Sequence, residues 1–367
     1  MNNLFSDLQT KLSRFDFWLV ALAGVLIAIG LFTQHSVQIA GQGIVGDIVN
    51  RQILALIIGF ALMVTLTSTD YRLLGFVAPL FFPTILGLLG AVLILGDSVR
   101  GSVRWFEIGG YQIQPSEIAK PLLILFFAFF LQWGQKRLSD LKLTILALLL
   151  LIPILGLILM EPDLGSVLLF GAVWLFILWF GLQDPKPLIA LILIALLLAP
   201  LAYMRLSDYQ KVRLTSFANP QQDPLGSGYN AIQATIAIGA GGVWGRQWGQ
   251  GTQSHLRFLP DQHTDFIFAT FAEEQGFAGC LILLFAYVLF FWRLLINLNQ
   301  TKNHTGKTII GGILAMFLVQ FTVNIGMNIG LLPITGIPLP FISYGGSSLV
   351  TALALVGLVE SVVSHQS

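Results

Sequence analysis

The chain has 367 residues, of which 56% are hydrophobic and only 10% charged, and its mean hydropathy is +0.82. Ordinary soluble domains carry about 25% charged residues, so this composition excludes a water-soluble globule and describes an integral membrane protein. A balance of 19 Lys plus Arg against 18 Asp plus Glu excludes a basic nucleic-acid-binding surface, and the single cysteine, Cys280, excludes an internal disulfide and thiolate metal clusters.

A membrane-spanning helix needs roughly 17 to 25 mostly apolar residues. Such runs fall at 17–32, 53–67, 76–95, 118–133, 143–160, 164–182, 188–204, 266–295, 309–331 and 347–363. The expected fold is an all-α polytopic membrane protein of about ten spans, in one domain covering 1–367, with no internal repeat and no low-complexity linker. The first run follows Lys11 and Arg14 without a small-residue cleavage site, so it reads as a retained anchor. A cytoplasmic N-terminus puts Arg72, Lys136, Arg137, Lys142, Lys186, Arg293, Lys302 and Lys307 on the same side as Lys11 and Arg14. It leaves only Arg51, Arg100, Arg104 and Lys120 in short outer segments. Both termini are then cytoplasmic, and the large loop from about 205 to 265, between spans seven and eight, is extracytoplasmic.

A charge at bilayer depth costs about 2.5–3.5 kcal/mol or more unless it is paired or faces water, so charges beside the spans are the site candidates. By this topology they gather on the outer side. The segment from Arg100 to Ser116 should turn at Gly109–Gly110 and lie on the membrane through Trp105, Phe106 and Tyr111. Directly after it, Glu117 and Lys120 stand three apart behind Pro115 on one face of a helix start. They either neutralise each other or leave a Lys120 ammonium, steadied by Glu117, for a phosphate. In Glu161-Pro162-Asp163, Asp163 is placed to cap the sixth span, and the two carboxylates can also bind a divalent cation or pair with outer arginines.

Within the large loop, Tyr229 to Gly242 is apolar but too short to span, which suits a re-entrant or interfacial segment. The glycines that follow lack the phosphate-gripping G-x-x-x-x-G-K-[ST] pattern. Asp265 stands where this loop meets the eighth span, as an N-cap or as a carboxylate held at the water boundary for chemistry. On a continuous helix Glu273 would share its side better than Glu274, and His263 can donate to a carboxylate or phosphate. Asn324 and Asn328, four apart, suit interhelical hydrogen bonding. The proline-rich stretch from Leu332 leads to Ser343, Gly345, Gly346 and Ser347 at the last helix start, which is either a re-entrant turn or an anion site.

The blocks RGSVRWFEIGGYQIQPSEIAK (100–120), EPDLGS (161–166), GTQSHLRFLPDQHTDFIFATFAEEQG (251–276) and GIPLPFISYGGSS (336–348) resemble those of the SEDS proteins (shape, elongation, division and sporulation). The GTQS before LPDQHTDF resembles the rod-shape branch more than the division branch. The resemblance implies an inverting peptidoglycan glycosyltransferase that polymerises lipid II at the outer face of the cytoplasmic (inner) membrane, with undecaprenyl pyrophosphate as leaving group. It matches Asp265 to the family's essential aspartate, acting as base or as a metal and substrate anchor. It also makes Lys120, Glu117, Arg100 and Arg104, with Ser343, Gly345, Gly346 and Ser347, the candidates for the pyrophosphate. Glu161, Asp163, His263 and Glu273 are then supporting residues. It further implies a class B penicillin-binding transpeptidase and other elongation-complex membrane proteins as partners. Mg or Mn is a candidate cofactor, although no full ligand set is legible. The family pattern has Glu where Asp261 stands and commonly Arg where Gln262 stands. The rival readings are a lipid II flippase and a non-catalytic scaffold. A flippase should carry polar groups along spans one to three, whose interiors hold almost none.

Overall fold

A computed structural model describes residues 14–40, 48–99, 102–109, 111–205, 228–255 and 258–366. Arg100, Gly110 and most of the first half of the large loop lie outside these residues. Each apolar run becomes a helix: α1 (Phe17–Ala40), α2 (Ile48–Ser68), α3 (Tyr71–Leu95), α4 (Pro115–Gln135), α5 (Asp140–Met160), α6 (Leu164–Gly181) and α7 (Lys186–Arg205). The large loop contributes α8 (Tyr229–Gly241) and α9 (Thr252–His255), and the chain ends with α10 (Ile267–Gln300), α11 (His304–Asn328) and α12 (Gly346–Ser364). Among the described residues nine of these are long and apolar enough to cross a bilayer, and α7 adds the shorter apolar stretch Lys186–Leu198. The chain is thus a multi-pass, predominantly helical membrane protein.

Burial separates centre from rim. The windows of α11 and α12 are 67% and 72% buried within the protein, whereas those of α2 and α3 are 28% and 22% buried and turn Ile57, Phe60, Phe76 and Leu80 outward. In lipid the outward residues are already solvated, so helix association rests on close packing rather than on hydrophobic transfer. At the α2–α12 contact a Cβ on Gly357 would stand 2.6 Å from the Met63 carbonyl oxygen, and one on Gly59 would stand 2.7 Å from a Leu353 methyl. Only hydrogen fits there, and the two backbones touch.

Two local features depart from a plain bundle. The segment expected to lie flat forms a three-stranded antiparallel sheet of β1 (Asp97–Val99), β2 (Ser102–Ile108) and β3 (Tyr111–Ile113), with Trp105 opposite Asp97 and Phe106 opposite Ile113. Gly109 turns β2 into β3 with φ 60°. The second feature is a break in α10 at Gly276, where φ is 66° and ψ −168°. The loop after α8 enters this break and replaces the lost helical bonds. Phe277 and Ala278 donate to the carbonyls of Gly242 and Val243 (2.9 and 3.0 Å), while Arg246 and Gln247 donate to those of Glu273 and Glu274 (3.0 and 3.1 Å). The nine residues before the break are therefore splinted to the large loop, and the 24 after it are long enough, at about 36 Å, to cross the hydrocarbon core.

A Cβ at Gly276 would meet the Gly245 nitrogen at 2.2 Å, in a backbone region reserved for glycine. Gly276→Ala should cost about 1–3 kcal/mol, read as a lowered melting temperature of the detergent-purified protein, and an unchanged value would contradict the break.

Candidate functional site

At one end of the bundle a cavity of about 1340 Å³ opens between the start of α2, the sheet, the start of α4, the α5–α6 turn, residues 261–266, residues 334–338 and the start of α12. The sequence candidates Arg104, Glu117, Lys120, Asp163, His263, Asp265, Gly345, Gly346 and Ser347 all line it. Residues distributed over almost 250 positions thus converge on one space.

Asp265 is not a helix cap. Phe266 occupies that position on α10, because the chain first makes a tight turn in which Thr264 and Phe266 donate to the Asp261 carbonyl (3.0 and 3.2 Å). The extra turn carries Asp265 to the cavity. Its main-chain carbonyl accepts from the amides of both Asn324 and Asn328 at 3.0 Å, and Asn324 also donates to the Ile337 carbonyl at 2.8 Å. Two fully buried α11 side chains thus bind the Asp265 turn and the 336–338 segment together. Bare Gly336 backbone faces the carboxylate, since a Cβ there would come within 3.5 Å of Asp265 Oδ2.

The residues before α12 are held from both sides. Tyr344 N–H donates to the His263 carbonyl (2.8 Å), and the Ser343 hydroxyl donates to the Thr264 carbonyl (2.7 Å) while accepting from Leu339 N–H (2.8 Å). From α1, the Gln34 amide donates to the Ile342 carbonyl (2.8 Å). From α2, Gln52 accepts from Gly345 N–H (3.2 Å) and donates to the Ser343 carbonyl (3.4 Å). Ser343 is therefore buried beside the cavity wall rather than lining it, a correction to its expected role as a donor to an anion. Ser347 lines the cavity, but its hydroxyl is engaged, accepting from Gln114 N–H (3.2 Å) and facing the Gln112 carbonyl (3.4 Å).

On the opposite wall Pro115 opens α4, and the Lys120 ammonium pairs with the Glu117 carboxylate, both being 4% exposed. Glu117 Oε2 is buried without a hydrogen bond, so the pair is not saturated. Asp163 caps α6 by accepting from the N–H and hydroxyl of Ser166 (3.0 and 2.9 Å), and Arg104 approaches its Oδ2 at 3.4 Å. Glu161 stands behind this pair rather than in the cavity lining. It is fully buried, and burial with the neighbouring Asp163 charge pushes its carboxyl up to about 8 against the pull of Arg104.

Glu273 is not beside Asp265. Its carboxylate accepts from Gln253 N–H (2.7 Å) and the Thr252 hydroxyl (3.2 Å) at the start of α9, away from the cavity, because α10 starts only at Ile267 and the large loop covers that face. Arg100 lies outside the described residues. Sequence reading missed Arg51, which lines the cavity and lies 5.8 Å over the Tyr111 ring, and the backing glutamines Gln34 and Gln52. Arg51 falls just before an apolar run, where a flanking base is the ordinary topology signal. Among the described residues no group of three or more His, Cys, Asp or Glu side chains stands ready to hold a metal.

The arrangement brings four carboxylates, Glu117, Asp163, Asp261 and Asp265, and three cations, Arg51, Arg104 and Lys120, into one partly apolar chamber. A family model described as a cell cycle protein family of FtsW, RodA and SpoVE matches residues 12–367. The chain is 38% identical over 346 residues to the peptidoglycan glycosyltransferase MrdB of Escherichia coli (strain K12), covering 93% of each. It is 32% identical over 426 residues to the peptidoglycan glycosyltransferase RodA of Treponema pallidum (strain Nichols), covering 96% of this chain and 98% of that one. The crystal structure of the rod shape determining protein RodA of Thermus thermophilus superposes with a TM-score of 0.70 at 30% identity, covering 96% of this chain and 97% of that one. A chain of a peptidoglycan synthase complex that coordinates polymerization and crosslinking superposes with a TM-score of 0.81 at 31% identity, covering 96% and 99%.

Because the folded chain holds the Glu161 proton up to about pH 8 while the unfolded chain releases it in the ordinary carboxylate range, Glu161 makes stability fall as pH rises between those values. Glu161→Gln should flatten that fall in a pH series of melting temperatures, and identical pH profiles would show that Glu161 ionises normally.

Proposed function

Since the chain belongs to the family of FtsW, RodA and SpoVE proteins, we propose that its peptidoglycan glycosyltransferase activity resides in the cavity around Asp265. The chain is a membrane glycosyltransferase of peptidoglycan synthesis and cell shape. The finer assignment is that it polymerises lipid II at the outer face of the cytoplasmic membrane, with both termini in the cytoplasm. One observation carries this reading: a single cavity holds Asp265 together with Lys120, Arg104 and Arg51.

In the proposed reaction the 4-hydroxyl of an acceptor GlcNAc attacks the anomeric carbon of a donor MurNAc. The new C1–O4 bond forms as the C1–O bond to pyrophosphate breaks, with inversion at C1. Asp265 takes the hydroxyl proton, which a base must do as the oxygen becomes bonded to carbon. Lys120, steadied by Glu117, and the guanidinium forks of Arg104 and Arg51 meet the charge that grows on the departing undecaprenyl pyrophosphate. Gly346 and Ser347, which open α12, line the same space, and the free N–H groups of a helix start favour an anion. A divalent cation would supply further charge neutralisation, and Asp265 with the pyrophosphate oxygens is the ligand set that suits Mg or Mn, since such ions use one or two carboxylates plus phosphate.

The synthase complex to which the chain is similar supports a crosslinking partner, and for this chain we assign that partner as a class B penicillin-binding transpeptidase working with other elongation-complex membrane proteins.

Asp265→Asn keeps shape and hydrogen bonding but removes the charge. It should lower glycan polymer from lipid II by about 10²–10⁴-fold, with an unchanged melting temperature, on gels of the purified protein with its class B partner. Comparable polymer from both proteins would move the base to another residue.

A further inference from the structure

Glu161 is the one carboxylate among the described residues that is fully buried with neither oxygen hydrogen-bonded. A buried charge-bearing group without partners is costly, and its persistence calls for an account. Arg104, which acts on Glu161 electrostatically, likewise has its Nε buried without a partner. Asp163 and Arg104 are the two charged groups that act on Glu161.

Arg104 is loosely held. Its Nη1 lies 3.4 Å from Asp163 Oδ2 and its Nη2 lies 3.4 Å from the Pro162 carbonyl, both long for charge-assisted bonds. Asp163 does not depend on Arg104, because Ser166 already donates to both of its oxygens. An arginine has five donors, so a bond from Nε to one carboxylate leaves the Nη fork free for a phosphate.

Resting on the glycosyltransferase reading, we propose that Glu161 is a positioning residue that acts through Arg104. When a donor pyrophosphate draws the Nη fork off Asp163 and Pro162, Glu161 takes the Nε–H and fixes the guanidinium against the leaving group. Glu161 accepts the Nε–H as a carboxylate and releases its proton as the pair forms. Donor capture is therefore favoured at higher pH, where Glu161 ionises in the free protein near 8.

The test measures steady-state polymerisation of lipid II by the full chain with its class B partner, and in parallel the affinity of the full chain for undecaprenyl pyrophosphate. Both are run from pH 6 to 9 on wild type, Glu161→Gln and Glu161→Asp. Glutamine should fold, since it mimics the protonated acid. Its KM for lipid II and its Kd for undecaprenyl pyrophosphate should rise about 10-fold at pH 8, with kcat within about twofold, as for the loss of a supporting partner to a ligand-binding group. The wild-type limb of kcat/KM rising toward pH 8 should vanish in Glu161→Gln and return in part in Glu161→Asp. Unchanged affinity and a retained limb in Glu161→Gln would overturn the proposal, as would an equal loss in kcat and stability with KM unmoved. Absence of polymer from wild type would instead count against the glycosyltransferase reading, while the pyrophosphate affinities would still decide the role of Glu161.

Discussion

The site depends on how two interruptions of a helical membrane protein are satisfied. Between Asp261 and Ile267, and again from Leu332 to Gly345, the chain runs outside regular helix within the protein. Each orphaned buried carbonyl or N–H would cost about 1–3 kcal/mol. The side-chain amides of Asn324 and Asn328 answer on one side, meeting the Asp265 and Ile337 carbonyls, while Asn328 Oδ1 accepts from Ala269 N–H at 3.3 Å. Gln34, Gln52 and Ser343 answer on the other. With its backbone satisfied by side chains from α1, α2 and α11, the irregular chain can leave a wetted cavity beside it without unravelling the bundle, which is where membrane proteins tolerate such backbone.

The two ends of the bundle use charge differently. Away from the cavity, the Asp16 carboxylate is saturated by Arg293 Nε (2.6 and 2.7 Å) and Asn297 Nδ2 (2.6 Å), while Glu360 accepts from Asp16 N–H at 2.9 Å, tying the start of α1 to α10 and α12. That network closes an end. At the cavity, Glu117 Oε2, Arg104 Nε and both Glu161 oxygens remain unmatched. The first network leaves only Glu360 Oε1 unmatched, whereas the four unmatched atoms around the chamber shared by Lys120 and Asp265 give it capacity for a charged substrate.

Much of this was legible in the sequence, because hydropathy and capping are local. The ten apolar runs became helices, Asp163 capped α6, and Glu117 and Lys120 paired across one helical turn. What local pattern could not supply was the path of irregular chain. Asp265 looked equally like an N-cap until the turn closed by Asp261 shifted that role to Phe266. Placing Glu273 beside it assumed a helix already running at Asp265, whereas the acid serves α9 instead. The sheet escaped notice because β1 and β3 are three residues each, and Gln52 because a polar residue at the edge of an apolar run declares no partner 291 positions away.

Donor pyrophosphate and acceptor hydroxyl are proposed to meet in the cavity bounded by Asp265 and Lys120. A cryo-EM structure of the protein with its class B partner and bound lipid II tests it most directly. Pyrophosphate oxygens are expected within hydrogen-bond distance of Lys120 and the Arg104 fork, with the MurNAc anomeric carbon turned toward Asp265. Density for the pyrophosphate at any other surface, with the cavity free of substrate, would contradict it.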